Sequence, residues 1–114
     1  MTVAELSTMQ VVLFEEWRSL PEKAGVYVVS TERSTLYVGR AQNLHKRWNG
    51  HHRFYQFAAL GADNICWVET EDFKTVEREL IASLSPDLNA RPVMPTEGFY
   101  GEISKGRLSD IAGN

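Results

Sequence analysis

Hydrophobic positions along the chain fall into blocks of different period. From Ser7 to about Arg18, the residues Met9, Val12, Leu13 and Trp17 recur at helical spacing, with Ser7 placed as an N-cap and Gln10 three residues on, which predicts an amphipathic helix. After Pro21, the runs from Gly25 to Val29 and from Leu36 to Gly39 are β-rich and flank a polar connection, Ser30 to Thr35, of hairpin length. Residues 43–59 read as helical with an interruption at Gly50, residues 64–70 as a third strand, and residues 71–84 as a further helix capped by Thr70. This order predicts an α+β domain: a small three-stranded antiparallel sheet flanked by helices.

Within the hairpin, a three-residue loop of Thr31, Glu32 and Arg33 sets Tyr27 directly opposite Tyr37, so both phenols share a face. Val26, Val28, Leu36 and Val38 form the other, wholly apolar face, which is the one expected to be buried. Two tyrosines facing each other stabilise a sheet without further function, but Gly39 and Arg40 beside them let an anionic group come close. In the next helix, Ala41, Leu44, Trp48 and Tyr55 fall on one side, bordered by Arg47 and His51, which are adjacent on a helix surface. Both border residues fit either a solvated face or the wall of a cleft. A zinc site is disfavoured because His45 points away from His51 and no carboxylate shares the window.

In the last helix, Glu77 stands in the middle of an apolar arc of Phe73, Val76, Leu80, Ile81 and Leu84. A carboxylate there is costly unless it is paired or holds a metal, so an ion pair with a cation such as Arg47 and a metal site are both open. Asn89 follows Pro86 and Leu88 in a loop, where an amide usually caps a turn.

Composition narrows the function classes. A chain of 114 residues, 43% hydrophobic and 24% charged, is expected to form one ordinary globular domain. It shows no run of the ~20 apolar residues that a membrane helix requires. A single cysteine, Cys66, excludes an internal disulfide, and with no secretion signal the expected location is cytoplasmic. The net charge is −3, yet Arg40, Lys46, Arg47 and Arg53 concentrate +4 in residues 40–53, leaving −7 on the rest. His45, His51 and His52 lie in the same window, which marks it as a candidate anion site on an acidic body.

The series Gly25, Val26, Tyr27, then Tyr37, Val38, Gly39, then Arg47 with His51, then Glu77 and Asn89 resembles the GIY-YIG nuclease family over roughly residues 20–91. Leu20 to Tyr27, Tyr37 to Arg47, and Val76 to Ile81 with Pro86 to Asn89 look like its excision-repair branch. Lys46, Arg47 and Trp48 followed by His51 look more like its phage homing branch. Both tripeptides carry valine where the family usually has isoleucine.

The resemblance implies a metal-dependent DNA endonuclease with one Mg²⁺ or Mn²⁺ ion held by Glu77. It implies that Arg47 stabilises transition-state charge, that Tyr27, Tyr37 and His51 surround the attacking water with Tyr27 as the favoured base, that Arg40 and Lys46 contact substrate phosphates, and that Asn89 braces the site. Gly25 and Gly39 are structural parts of the motif. The domain organisation expected is a helical extension over 1–20, the catalytic domain over 21–92 and a tail over 93–114. The chain shows no separate DNA-binding module, so a homodimer or a DNA-binding partner protein is expected to supply affinity. The competing readings are a catalytically silent domain of the same fold that binds DNA or protein, and a small regulatory domain that matches by chance.

Overall fold

The computed structural model of the protein describes residues 9–89. Eight elements follow one another: β1 (Gln10–Leu13), a 3₁₀ segment (Phe14–Ser19), β2 (Gly25–Ser30), β3 (Thr35–Ala41), α1 (Leu44–Trp48), α2 (Phe54–Ala59), β4 (Asn64–Glu69) and α3 (Phe73–Leu84). The four strands form one antiparallel sheet in the order β1-β4-β2-β3.

The sheet is the middle layer of three. On one side, Tyr27, Val29, Leu36, Ala41 and Ile65 pack against Phe14, Leu44, Trp48 and Phe57 from the 3₁₀ segment, α1 and α2. On the other, Val26, Val28 and Val38 pack against Leu80 of α3 and against Met9. Central β2 is therefore buried from Gly25 to Val29, which explains an unbroken apolar run where a half-exposed strand would alternate.

Several expectations from the sequence need correction. The sheet has four strands, because the predicted N-terminal helix is instead β1 followed by the 3₁₀ segment. Val12 and Trp17 still pack against the core, but Val12 does so from a strand paired with Ile65, an extended pairing partner that local periodicity does not reveal. Ser7, the expected cap, lies outside the described residues, as does the tail over 93–114.

The hairpin register is shifted by two residues. Thr31 closes a four-residue turn by donating its N–H to Ser34 O at 2.9 Å, while its Oγ1 accepts from the backbone N–H of Arg33 and Ser34, each at 3.1 Å. With a bulge between Val29 and Ser30, Tyr27 then faces Gly39, and Tyr37 faces Val29. A shift of two preserves the face, so the tyrosines remain neighbours with ring centroids 6.3 Å apart. The face carrying Tyr27 is as deeply buried as the valine face.

Gly50, at φ +80°, separates α1 from α2 and resets the helical phase. Tyr55 is consequently exposed, at 69%, and Phe57 takes the buried position. Asn43 caps α1, its Oδ1 accepting from Lys46 N–H at 3.0 Å. Helix α3 starts later than expected: Asp72 is the N-cap residue, and Thr70 Oγ1 accepts from Asp72 N–H at 3.0 Å.

Candidate active site

The two tyrosines, two arginines and one glutamate singled out in the sequence line a single cleft of about 310 Å³. Tyr27 and Tyr37 come from the sheet, Arg40 from β3, Arg47 from α1 and Glu77 from α3, and His52 completes the wall. Tyr27 sits on an interior strand, and its phenol reaches the cleft by lying across Gly39 on the neighbouring edge strand. A Cβ at position 39 would stand 2.4 Å from both Cζ and Oη of Tyr27, so only glycine leaves the ring its place. Gly25 is fixed by a similar restriction, since a Cβ there would meet the Val68 carbonyl at 2.3 Å.

His51 is behind Tyr27 rather than in the cleft, 5% exposed, with Nε2 at 2.6 Å from Tyr27 Oη. Its Nδ1 accepts the backbone N–H of Arg53 at 3.0 Å. A neutral imidazole has one acceptor nitrogen, so this bond places the ring proton on Nε2, and Tyr27 Oη is its acceptor. Burial, followed by the charges of His52, Arg47 and Arg53, pushes His51 down to about 3 and keeps it neutral. Burial also holds the Tyr27 phenol above its ordinary range; Tyr37 and Glu77 push it the same way, whereas Arg47 and Arg53 oppose them.

Glu77 does not lie fully buried. Its carboxylate is 19% exposed at the cleft wall and accepts from Arg40 Nη1 at 3.0 Å, so the cation that pairs with it is Arg40, 37 residues away, and not Arg47. Lys46 is exposed on α1 and is not part of the cleft lining. Asn89 is also outside the lining: its Oδ1 accepts from Val38 N–H at 2.8 Å and its Nδ2 donates to Val38 O at 2.7 Å. The side-chain amide thus acts as a further strand on the outer edge of β3, continuing the backbone bonds of Asp87 and Leu88 to Thr35 and Leu36.

Two residues of the basic window had no individual role assigned from the sequence. His52 lines the cleft and stacks on His51 at 4.9 Å, 8° from parallel. Arg53 is buried with its guanidinium carbon 5.0 Å from the Tyr37 ring centroid and donates to Gln56 Oε1 at 2.9 Å. The pair of consecutive histidines followed by an arginine was the available signal.

The model of the GIY-YIG catalytic domain matches residues 23–86, more than half of the chain. The chain belongs to the GIY-YIG family. It is an enzyme of the GIY-YIG endonuclease type. No curated protein matches it in sequence. Among solved structures, it is similar to the GIY-YIG N-terminal endonuclease domain of UvrC from Thermotoga maritima. A tyrosine-to-phenylalanine point mutant of that domain, bound to its catalytic divalent cation, shares 21% identity at a TM-score of 0.58, with 68% of this chain and 93% of that one covered. The same domain bound to magnesium gives 20% identity and a TM-score of 0.57, with 66% and 92% covered. At that identity the likeness establishes a shared GIY-YIG fold. Among the described residues, no helix is long and apolar enough to cross a membrane.

Proposed function

We propose that this GIY-YIG domain hydrolyses DNA phosphodiester bonds with the help of one divalent metal ion. The observation that carries the reading is the cleft itself, which joins two phenols, two guanidinium groups and a carboxylate from four separate elements. The donor set fits magnesium. Among the described residues, Glu77 is the only carboxylate lining the cleft, and no group of three or more His, Cys, Asp or Glu side chains could hold a metal. Mg²⁺ is commonly held by one or two carboxylates and keeps several waters, whereas zinc needs a fuller protein cage. When bound, the ion supplies Lewis-acid stabilisation of the phosphoryl oxygen and the leaving oxygen.

The chain's own residues account for the remaining work. Arg47, exposed at the cleft wall, lies where its permanently charged fork can stabilise the extra negative charge of the transition state. Arg40 alternates between Glu77 and a substrate phosphate. Tyr27 Oη accepts from His51 Nε2–H, so its own proton is free to point into the cleft. This favours Tyr27 as a proton relay: its oxygen takes the proton of the attacking water as its own proton passes to a phosphate oxygen of the substrate, with Tyr37 orienting that water. His51 acts through Tyr27 as a positioning residue, because its acceptor nitrogen is already engaged. Asn89 acts at a distance by fixing the edge strand that carries Tyr37 and Arg40.

DNA contact centres on residues 40–53, and a charge of +4 there neutralises few phosphates. Binding by one copy is expected to be weak, with a salt dependence of roughly two to four ion contacts. A second copy or a DNA-binding partner then supplies the remaining affinity. The catalytic unit extends over 21–92, joined by β1 and the 3₁₀ segment, which belong to the same sheet and core.

The test is incubation with supercoiled plasmid with and without Mg²⁺. Nicked or linear product should form only with the metal, and Glu77→Ala should abolish it while unfolding at nearly the parent temperature, since an ion pair at the open cleft wall contributes about 1 kcal/mol or less. Cleavage by Glu77→Ala at the parent rate would remove the metal assignment.

A further inference from the structure

His51 separates the catalytic cleft from a second depression of about 350 Å³, whose walls are mostly aromatic. Trp17 comes from the 3₁₀ segment, Trp48 from α1, and Phe54 and Tyr55 from α2. Arg18 is the one permanently charged side chain of the lining among the described residues, and its guanidinium carbon lies 4.5 Å from the Trp17 ring centroid. Gly50 leaves the rim open, with no heavy atom within 4 Å of the place a Cβ would take. Tyr55 meets Phe54 edge to face at 5.5 Å and is otherwise turned to solvent.

This chemistry suits a planar, polar ring attached to an anion. An aromatic platform stacks any nucleobase, and a cation beside it receives the phosphate, which is the common recipe for single-stranded nucleic acid. The volume is at the low end of ligand pockets, roughly 300–1,000 Å³, and suits a single base better than a protein element. Among the described residues, no carboxylate lines the pocket to repel a phosphate. The mechanism proposed above uses none of Trp17, Arg18, Phe54 or Tyr55.

We infer that the pocket formed by Trp17, Trp48, Phe54 and Tyr55 beside Arg18 binds one unpaired nucleobase of the DNA substrate. The enzyme would thereby select sites where a base has left the stack, such as a mismatch, a flap or a single-stranded segment. The inference rests on the DNA reading, and it adds a substrate class to it. A base seated there touches the ring of His51, whose Nε2 holds Tyr27, so occupancy is read next to the proton-accepting group.

Binding of fluorescent oligonucleotides to the full-length protein, at low salt and without magnesium, tests this. The probes are a twelve-residue oligothymidylate, an abasic strand of equal length and a fully paired duplex. Oligothymidylate should bind about ten-fold more tightly than the abasic strand, in line with the worth of one stacked base. Tyr55→Ala should remove most of that preference while leaving abasic binding and the unfolding temperature unchanged, and Tyr55→Phe should restore it. Equal affinity for thymidylate and abasic strands, or a Tyr55→Ala protein that keeps the full preference, would overturn the inference. So would a change in sedimentation with Tyr55→Ala, which would mark the patch as a contact between copies. Parallel plasmid assays separate the two readings. Base-dependent binding without cleavage would support the pocket and defeat the nuclease reading, whereas cleavage with base-independent binding would defeat the pocket alone.

Discussion

Tyr27 Oη and His51 Nε2 lie 2.6 Å apart, and the second nitrogen of the imidazole already accepts the Arg53 backbone N–H. The phenol oxygen is therefore the acceptor of the pair, and its hydrogen is available to the cleft. Tyr27→Phe should lower single-turnover cleavage by at least about 100-fold, the lower range for loss of a general acid or base. It should also destabilise the fold by about 1–3 kcal/mol, because a buried Nε2–H loses its acceptor. Denaturant unfolding beside the cleavage assay measures both, and a fully active phenylalanine variant would take Tyr27 out of the proton path.

The depressed His51 predicts a pH effect on stability with a defined sign. Its folded value of about 3 is below the ordinary imidazole value near 6.5, so the unfolded chain binds the extra proton between these two limits. Stability from this group is complete above about 6.5 and falls progressively as pH drops toward 3. His52 is lowered as well and acts in the same direction. Thermal unfolding of the parent and of His51→Gln across this range should show a weaker acid dependence in the variant; identical profiles would mean that His51 is not held neutral.

Gly39→Ala should damage both fold and chemistry. The added methyl occupies the space of the Tyr27 Cζ and Oη, and the ring, 1% exposed and bonded to His51, can make room only by leaving that bond. Overpacking of this kind costs about 1–3 kcal/mol. Cleavage should fall along with it, since Oη moves away from its partner. Near-ultraviolet circular dichroism and the tyrosine ring resonances report the displacement, and an alanine variant with the parent's spectrum and rate would contradict it.

Asn89→Ala removes both hydrogen bonds to Val38 at the outer edge of β3. A loss of about 1–2 kcal/mol is expected. The effect should be local: amide exchange at Val38 should accelerate by about ten-fold or more, while amides of central β4 change only with global stability. Uniform acceleration across the sheet would show that Asn89 supports the whole fold and not one edge.

Chemistry was more legible in the sequence than geometry. The spacing of Tyr27, Tyr37, Arg47 and Glu77 identified residues that meet in one cleft, because the hairpin face, the capped helix and the apolar arc each survive errors in detail. A register wrong by two residues still leaves both phenols on one face. The role of Gly39 was not legible, since it depends on Tyr27 lying opposite it, which the four-residue turn at Thr31 decides. Strand β1 was hidden because its partner, β4, lies more than fifty residues away and four residues do not define a period. Burial of His51 was hidden too, because Gly50 ends the helical phase that placed it at a border.

Among the described residues, the cleft takes its only carboxylate from α3, after every other residue of that lining has appeared in the chain. During synthesis both tyrosines and both arginines leave the ribosome before Glu77 does. Loop entropy points the same way: the β2–β3 hairpin closes over a short turn, whereas the pairing of β2 with β4 bears the entropy of a longer loop. On the proposed mechanism, a nascent or half-folded chain can hold a phosphate with Arg40 and Arg47 but cannot cut it. Cleavage therefore depends on α3, the last helix among the described residues, having packed onto the sheet through Leu80.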